Sequence, residues 1–163
     1  FESTPGVWAR LTHDREKYML AVQTALAEWC TRGNLVYHGL AGQFLLKDLP
    51  GVLRVLILAP LKRRVRTLGE THPRMTSDQL EDFIRRVDQE RSRWVRVMYG
   101  ADVMDTSLYD LTVNLREMSE KTACDTIATA ALQPRFEITA DVESEIFAFA
   151  ADCRTRLGRV LGG

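Results

Sequence analysis

Alternating apolar runs and helical periods predict an α/β domain, with a parallel sheet carrying helices on both faces in three layers. Two observations point there first. The run Val52–Ala59 is apolar on both faces apart from Arg54, the pattern of a strand covered by helices on either side. A second strand-like run, Asp110–Leu115, is separated from it by segments of helical periodicity. A third observation is punctuation. Pro60, Thr76 or Ser77, and Ser119-Glu120 stand where helices would start, and Gly33 and Gly100 where they would stop.

The first element runs from about His13 to Thr31, with Tyr18, Met19, Val22, Leu26 and Trp29 or Cys30 at helical spacing and Thr12 as its N-cap. Asn34–His38 reads as a short buried strand, followed by Gly39-Leu-Ala-Gly42 and a short helix from Gln43 to Lys47 that Pro50 closes. After the strand Val52–Ala59, a helix is expected from Leu61 to about Leu68, then a break at Thr71-His-Pro-Arg74. A long helix begins near Thr76 or Ser77, with Leu80, Phe83, Ile84 and Val87 on one face. It becomes crowded with charge from Asp88 to Arg96 and ends at Tyr99-Gly100. The strand Asp110–Leu115 is followed by a helix carrying Ala123, Ile127 and Ala131. A last amphipathic helix spans about Asp141 to Leu161.

Composition narrows the function classes. The 163 residues suit one domain, and a 45% hydrophobic, 27% charged chain is ordinary for a globular protein. Lys and Arg number 22, as do Asp and Glu. No net field draws the chain to nucleic acid or an anionic membrane, and neither is expected as a partner. Cys30, Cys124 and Cys153 lie far apart with no metal-like spacing, which reads as reduced core thiols in a cytoplasmic protein. No apolar run reaches the roughly 20 residues of a membrane span. Phe1 rather than Met opens the sequence, and a processed or truncated product is the expectation.

Chemistry is carried mainly by arginine. Lys62, Arg63, Arg64 and Arg66 follow a strand directly, and Arg85, Arg86, Arg91, Arg93 and Arg96 lie on the long helix. A planar guanidinium fork grips two phosphate oxygens at once, and phosphoryl transfer needs several such donors. The alternative is a solvated helix laced with acid–base pairs. Gly39 to Gly42 has the layout of an anion-binding nest or of a tight strand-to-helix turn. His38 ends a strand, with no second ligand at metal spacing. No Walker motif G-x-x-x-x-G-K-[ST] occurs.

Together the stretches Arg32–Gly42, Val52–Val65, Asp88–Trp94 with Tyr99-Gly100, and Asp105–Asn114 resemble the cytidylate-kinase-like family of P-loop phosphotransferases, over roughly Thr12 to Leu132. The most specific part is the combination of Tyr-Gly, then Ser-Leu-Tyr-Asp-Leu, then a Ser-led helix. The resemblance implies a nucleoside-monophosphate-kinase fold with a five-stranded parallel sheet, whose first strand and phosphate loop would precede Phe1. The domain would occupy 1–135 with a lid at about 76–103, and 136–163 would be a trailing amphipathic helix or linker, similar to a segment leading towards an appended BON domain in some relatives.

By the same resemblance Arg64 and Arg66, with Gly39 and Gly42, would face the nucleotide. Arg86, Arg91 and Arg93 would close over its phosphates, with Asp88 or Asp102 orienting the lid. ATP and Mg²⁺ would be the donor and its metal, and a nucleotide-like molecule the acceptor. This chain alone is expected to be inactive, and kinase activity would require a phosphate loop supplied upstream. The alternative is a non-catalytic regulatory or scaffold module on the same fold. Two departures bear on it. Gly39-Leu40-Ala41 stands where the family carries Gly-Arg-Asp for the acceptor, and Val87-Asp88 stands where the lid carries Arg-Asp. Without the central first strand, the edges of Asn34–His38 and Val52–Ala59 would pair directly, leave the sheet partly empty, or self-associate.

Overall fold

The computed structural model describes residues 15–162, and the predicted Thr12 cap and His13 start lie outside them. The described chain is mostly helical with a two-stranded parallel sheet. It divides into two compact units, one formed by residues up to Val52 together with those from Gln133 onward, the other by Leu53–Leu132.

In the first unit, helix α1 (Arg15–Cys30) packs against the final helix α6 (Ala140–Gly162). Ala27 on α1 and Ala150 and Cys153 on α6 are fully buried at this contact, with Phe149 beside them. Such small side chains let two helix backbones approach closely. Arg154 bridges to Glu28 at 3.1 Å across the same pair. The short helix α2 (Gly42–Leu45) is tied to α1 by Gln23, whose Nε2 donates to the Leu45 carbonyl at 2.8 Å. Leu45, Leu46 and Leu49 are buried below it. Gly51 takes φ +72°, a left-handed backbone that favours glycine, and a Cβ there would push on the mobile end of Ile138 at 2.6 Å.

Asn34–His38 is not a strand. It forms no ladder, and Val36 is 92% exposed. Its β-branched and aromatic composition suits a pleated surface, but a strand exists only where a neighbouring strand takes up its N–H and C=O groups. Among the described residues none does.

The second unit begins with β1 (Val55–Leu58), shorter than the predicted strand, which pairs in parallel with β2 (Leu111–Asn114) in the register Val55 to Leu111 through Leu58 to Asn114. The expected three-strand sheet is thus a two-strand one in the described residues, and the direct pairing with Asn34–His38 does not form. Ile57 is 53% exposed, so one face of β1 lacks the cover that its apolar run predicts.

Between the strands run α3 (Leu61–Thr71) and α4 (Ser77–Tyr99), which pack together as a helical hairpin. Thr76 caps α4 through a full capping box with Gln79, and Gly100 ends it in the left-handed conformation at φ +66°. Leu80, Ile84, Val95 and Met98 form the buried stripe of α4. Trp94 and Tyr99 meet edge to face at 5.8 Å. Ser119 caps α5 (Glu120–Ala131), which buries Ala123 and leaves Cys124 exposed, against the expectation of a core thiol. The core expectation holds for Cys153, which is buried, and Cys30 is half-buried. Burial raises the pKa of both of these thiols.

Candidate functional site

The C-terminal ends of parallel strands gather ligands because loops and helix starts converge there. In the second unit, β1 reaches that end at Leu58 and leads through Ala59-Pro60 into α3, whose first turn carries Lys62, Arg63 and Arg64. Three consecutive cations here have three fates.

Lys62 is exposed. Arg63 turns to the end of β2. It donates to the carbonyls of Leu115 and, at 2.8 Å, Met118, and pairs with Glu120 in the first turn of α5. Its hydrogen bond holds the Glu120 carboxyl below the usual carboxylate range. Arg64 turns instead to α4. Its two terminal nitrogens donate to the two oxygens of Asp88 at 2.6 and 2.7 Å, a bidentate fork that raises the guanidinium further above its usual value. The pair is open to solvent, with side-chain exposures of 34% and 44%. Arg66 is exposed and lies close enough to add a small downward pull on Glu120.

On α4 the predicted phosphate arginines separate. Arg91 lies on the same stripe as Leu80, Ile84, Val95 and Met98 and one turn beyond Asp88, yet it is exposed. Arg86 and Arg93 are roughly 140–160° around the helix from Asp88 at 3.6 residues per turn. Both are exposed, and Arg86 stacks over the Phe83 ring at 5.6 Å. Arg85 is held by Glu81 at 2.6 Å. The structure pairs Arg64 with Asp88, and helical periodicity sets Arg91 nearer to Asp88 around α4 than Arg86 or Arg93.

The glycines belong to the first unit and answer to a different need. A Cβ on Gly42 would meet the Tyr37 ring at 2.8 Å, and one on Gly39 would overlap its phenol end. The Tyr37 hydroxyl donates to the Leu40 carbonyl at 3.2 Å. The Gly39–Gly42 turn is shaped around this ring, and α2 behind it is a single turn. His38 is exposed. Asp102 accepts from the Met104 amide at 2.9 Å, making it a turn residue of the loop after α4. Nearby, Tyr109 donates to the Val103 carbonyl at 2.8 Å, and burial, with Asp102 adding to it, raises its pKa.

Sequence reasoning named Arg64 and Asp88 separately and missed their pairing. The hairpin of α3 and α4 makes a contact between their charged residues foreseeable, but the helix bounds alone set residue 64 across from about residue 84, and only the structure shows that Asp88, one turn further, takes the fork. Arg63 as a strand-end clamp had no sequence signal, since nothing in Lys62-Arg-Arg-Val-Arg66 says which cation turns inward. Guanidiniums of this kind suit a phosphate group. Among the described residues no group of three or more His, Cys, Asp or Glu could hold a metal ion. No described helix is long and apolar enough to cross a membrane.

Comparison with known proteins places these residues in context. The chain is 28% identical over 102 residues to a cytidylate kinase of Methanosarcina acetivorans, covering 61% of this chain and 56% of that protein. It is 31% identical over 86 residues to a cytidylate kinase of Methanosarcina barkeri, covering 52% and 47%. With a cytidylate kinase of Ignicoccus hospitalis it shares 27% identity over 110 residues, covering 66% and 62%. The matched part thus spans between 47% and 62% of the length of these relatives. No solved structure matches the chain. The model of the cytidylate kinase-like family matches residues 3–117, which include α1 to α4, both strands and the Arg64–Asp88 pair. The chain belongs to the cytidylate kinase-like family.

Proposed function

We propose that this chain is part of a nucleotide-binding phosphotransferase of the nucleoside-monophosphate-kinase kind, moving a phosphoryl group from ATP to a nucleotide-like acceptor. The observation that carries this reading is the arginine set at the C-terminal end of β1. Arg64 on α3 stands just past the end of β1, Arg66 follows it and is exposed, and Arg91 lies one turn beyond Asp88, the partner of Arg64, on α4, in a chain whose family relatives are cytidylate kinases. Guanidiniums at such a place stabilise charge on a transferring phosphoryl group and position it, which is most of what this chemistry asks of a protein. Mg²⁺ bound to ATP would supply further charge neutralisation.

In this reading α4 and the loop after it act as the lid, at about 76–103, of a three-layer P-loop fold. Arg91 serves as the lid arginine nearest the phosphates. Arg86 and Arg93, on the far side of α4, reach them only after the helix rotates or shifts. Closing the lid would exclude water, which otherwise competes as acceptor.

A second reading is favoured by one observation. Gly39-Leu40-Ala41 lacks the arginine and aspartate of the acceptor motif, and its turn is filled by Tyr37. That suits a regulatory module that binds nucleotide without turning it over.

The test is a phosphotransfer assay on the full-length protein with ATP and a panel of nucleoside monophosphates, alongside calorimetric ATP binding. Turnover with any acceptor supports the kinase reading. Binding without turnover across the panel supports the module. Failure to bind ATP at all sinks both.

A further inference from the structure

The same fork that suits a phosphate is already filled by a carboxylate. We propose that Asp88 is a built-in competitor for the phosphate site on Arg64, holding the guanidinium until an incoming phosphate displaces it and thereby releases α4 from α3. This regulation rests on the phosphotransferase reading above and deepens it.

Four features of the second unit carry the proposal. First, both Asp88 oxygens are engaged by the two terminal nitrogens of Arg64, at 2.6 and 2.7 Å. A phosphate would claim the same two donors in the same geometry, so the two anions are mutually exclusive there. Second, the pair is exposed enough for a solute to reach. An ion pair of this kind is held loosely against solvent and salt.

Third, α3 has no fully buried residue. Its seat on α4 is defined at one end by Gly69, where a Cβ would lie 3.4 Å from Leu80, and at the other by Arg64 and Asp88. Loss of the ion pair removes the charged half of that seat. Fourth, a second guanidinium stands next in line. The pairing of 64 with 88 and of 69 with 80 describes an antiparallel hairpin, so Arg91, one turn beyond Asp88 on α4, lies on the side of Arg64 towards the start of α3. A phosphate that displaces Asp88 meets Arg64 on α3 and Arg91 one turn further along α4.

The neighbouring charges offer Arg64 no substitute for Asp88. Glu81 is bonded to Arg85, and Glu120 to Arg63. Arg63 is likewise committed to the Leu115 and Met118 carbonyls and leaves the phosphate role to Arg64.

The experiment measures dissociation constants of tripolyphosphate and of ATP on the full-length protein by calorimetry, for wild type, Asp88→Asn, Arg64→Ala and the double variant, with Glu90→Gln as a charge control on another face of α4. A competitor that occupies its site lowers apparent affinity by the fraction of sites left open. Asp88→Asn is therefore expected to tighten tripolyphosphate by about three- to tenfold, Glu90→Gln to change it much less, and Asp88→Asn to have no effect when Arg64 is already Ala. Circular dichroism confirms that each variant is folded. Tightening that persists in the Arg64→Ala background, or that Glu90→Gln matches, shows general electrostatics and overturns the proposal. Wild-type binding that Asp88→Asn leaves unchanged or weakens overturns the competitor alone and leaves the phosphotransferase reading standing. Absence of binding in wild type and Asp88→Asn alike overturns both.

Discussion

The helix pair α1/α6 and the helix pair α3/α4 are held by opposite means. The first closes on Ala27, Ala150 and Cys153, all fully buried, with an ion bridge, Arg154 to Glu28, at the margin. The second joins a helix with no fully buried residue to one with a buried stripe, and across it stands an arginine fork on a carboxylate. Apolar contact between small side chains is dense, indifferent to salt and has no substitute ligand. A solvent-exposed fork is weaker, responds to salt, and can be taken over by any anion of matching shape. Were phosphate to displace Asp88, the difference would separate the part of the chain built to stay closed from the part that exchanges partners.

Three substitutions break or sharpen that contrast, in falling order of effect. Met98→Ala empties a fully buried position on the stripe of α4. It should cost about 2–5 kcal/mol in urea unfolding, showing how much of the second unit rests on that stripe and how little on α3. A cost under about 1 kcal/mol would mean the stripe is loosely packed. Ala150→Leu forces a larger side chain between α1 and α6, where no accessible surface remains. Overpacking should cost about 1–3 kcal/mol, with no dependence on salt between low and high ionic strength. A neutral result would show that the helices can part without penalty. Asp88→Asn should change stability by only about 0–1 kcal/mol, and that change should shrink as salt rises because the pair is half exposed. A large, salt-independent loss would place the pair with the structural contacts instead.

Elements whose signals are local were legible in the sequence. Thr76 and Ser119 cap the helices they were expected to cap, and Gly100 stops α4, because a cap is a bond between residues three apart. The strand runs around Val55–Leu58 and Leu111–Asn114 were also legible, since their apolar runs and flanking helix starts are contiguous in the chain. Asn34–His38 was not, because its composition states a preference and only a paired neighbour makes a strand. Cys124 sits at apolar spacing on α5, but spacing fixes which face it shares and not whether anything covers that face. Within the candidate site, arginine as the working residue type was readable from the run after β1. The division of labour between Arg63 and Arg64 was not, as it depends on a strand end at Leu115 and a helix position at Asp88, 52 and 24 residues away.

Arg63 also settles where the second unit can bend. By gripping the carbonyls of Leu115 and Met118 and the carboxylate of Glu120, it fastens the first turn of α3 to the end of β2 and the start of α5. Mechanically α3 is part of the sheet. Any swing of α4 must then be taken up at its own two ends, in the connection from His72 to Thr76 and at Gly100, whose left-handed backbone already stands at the helix stop. Were α4 to move as a lid, those two ends would be its hinges and Arg63 the rivet that keeps α3 in place.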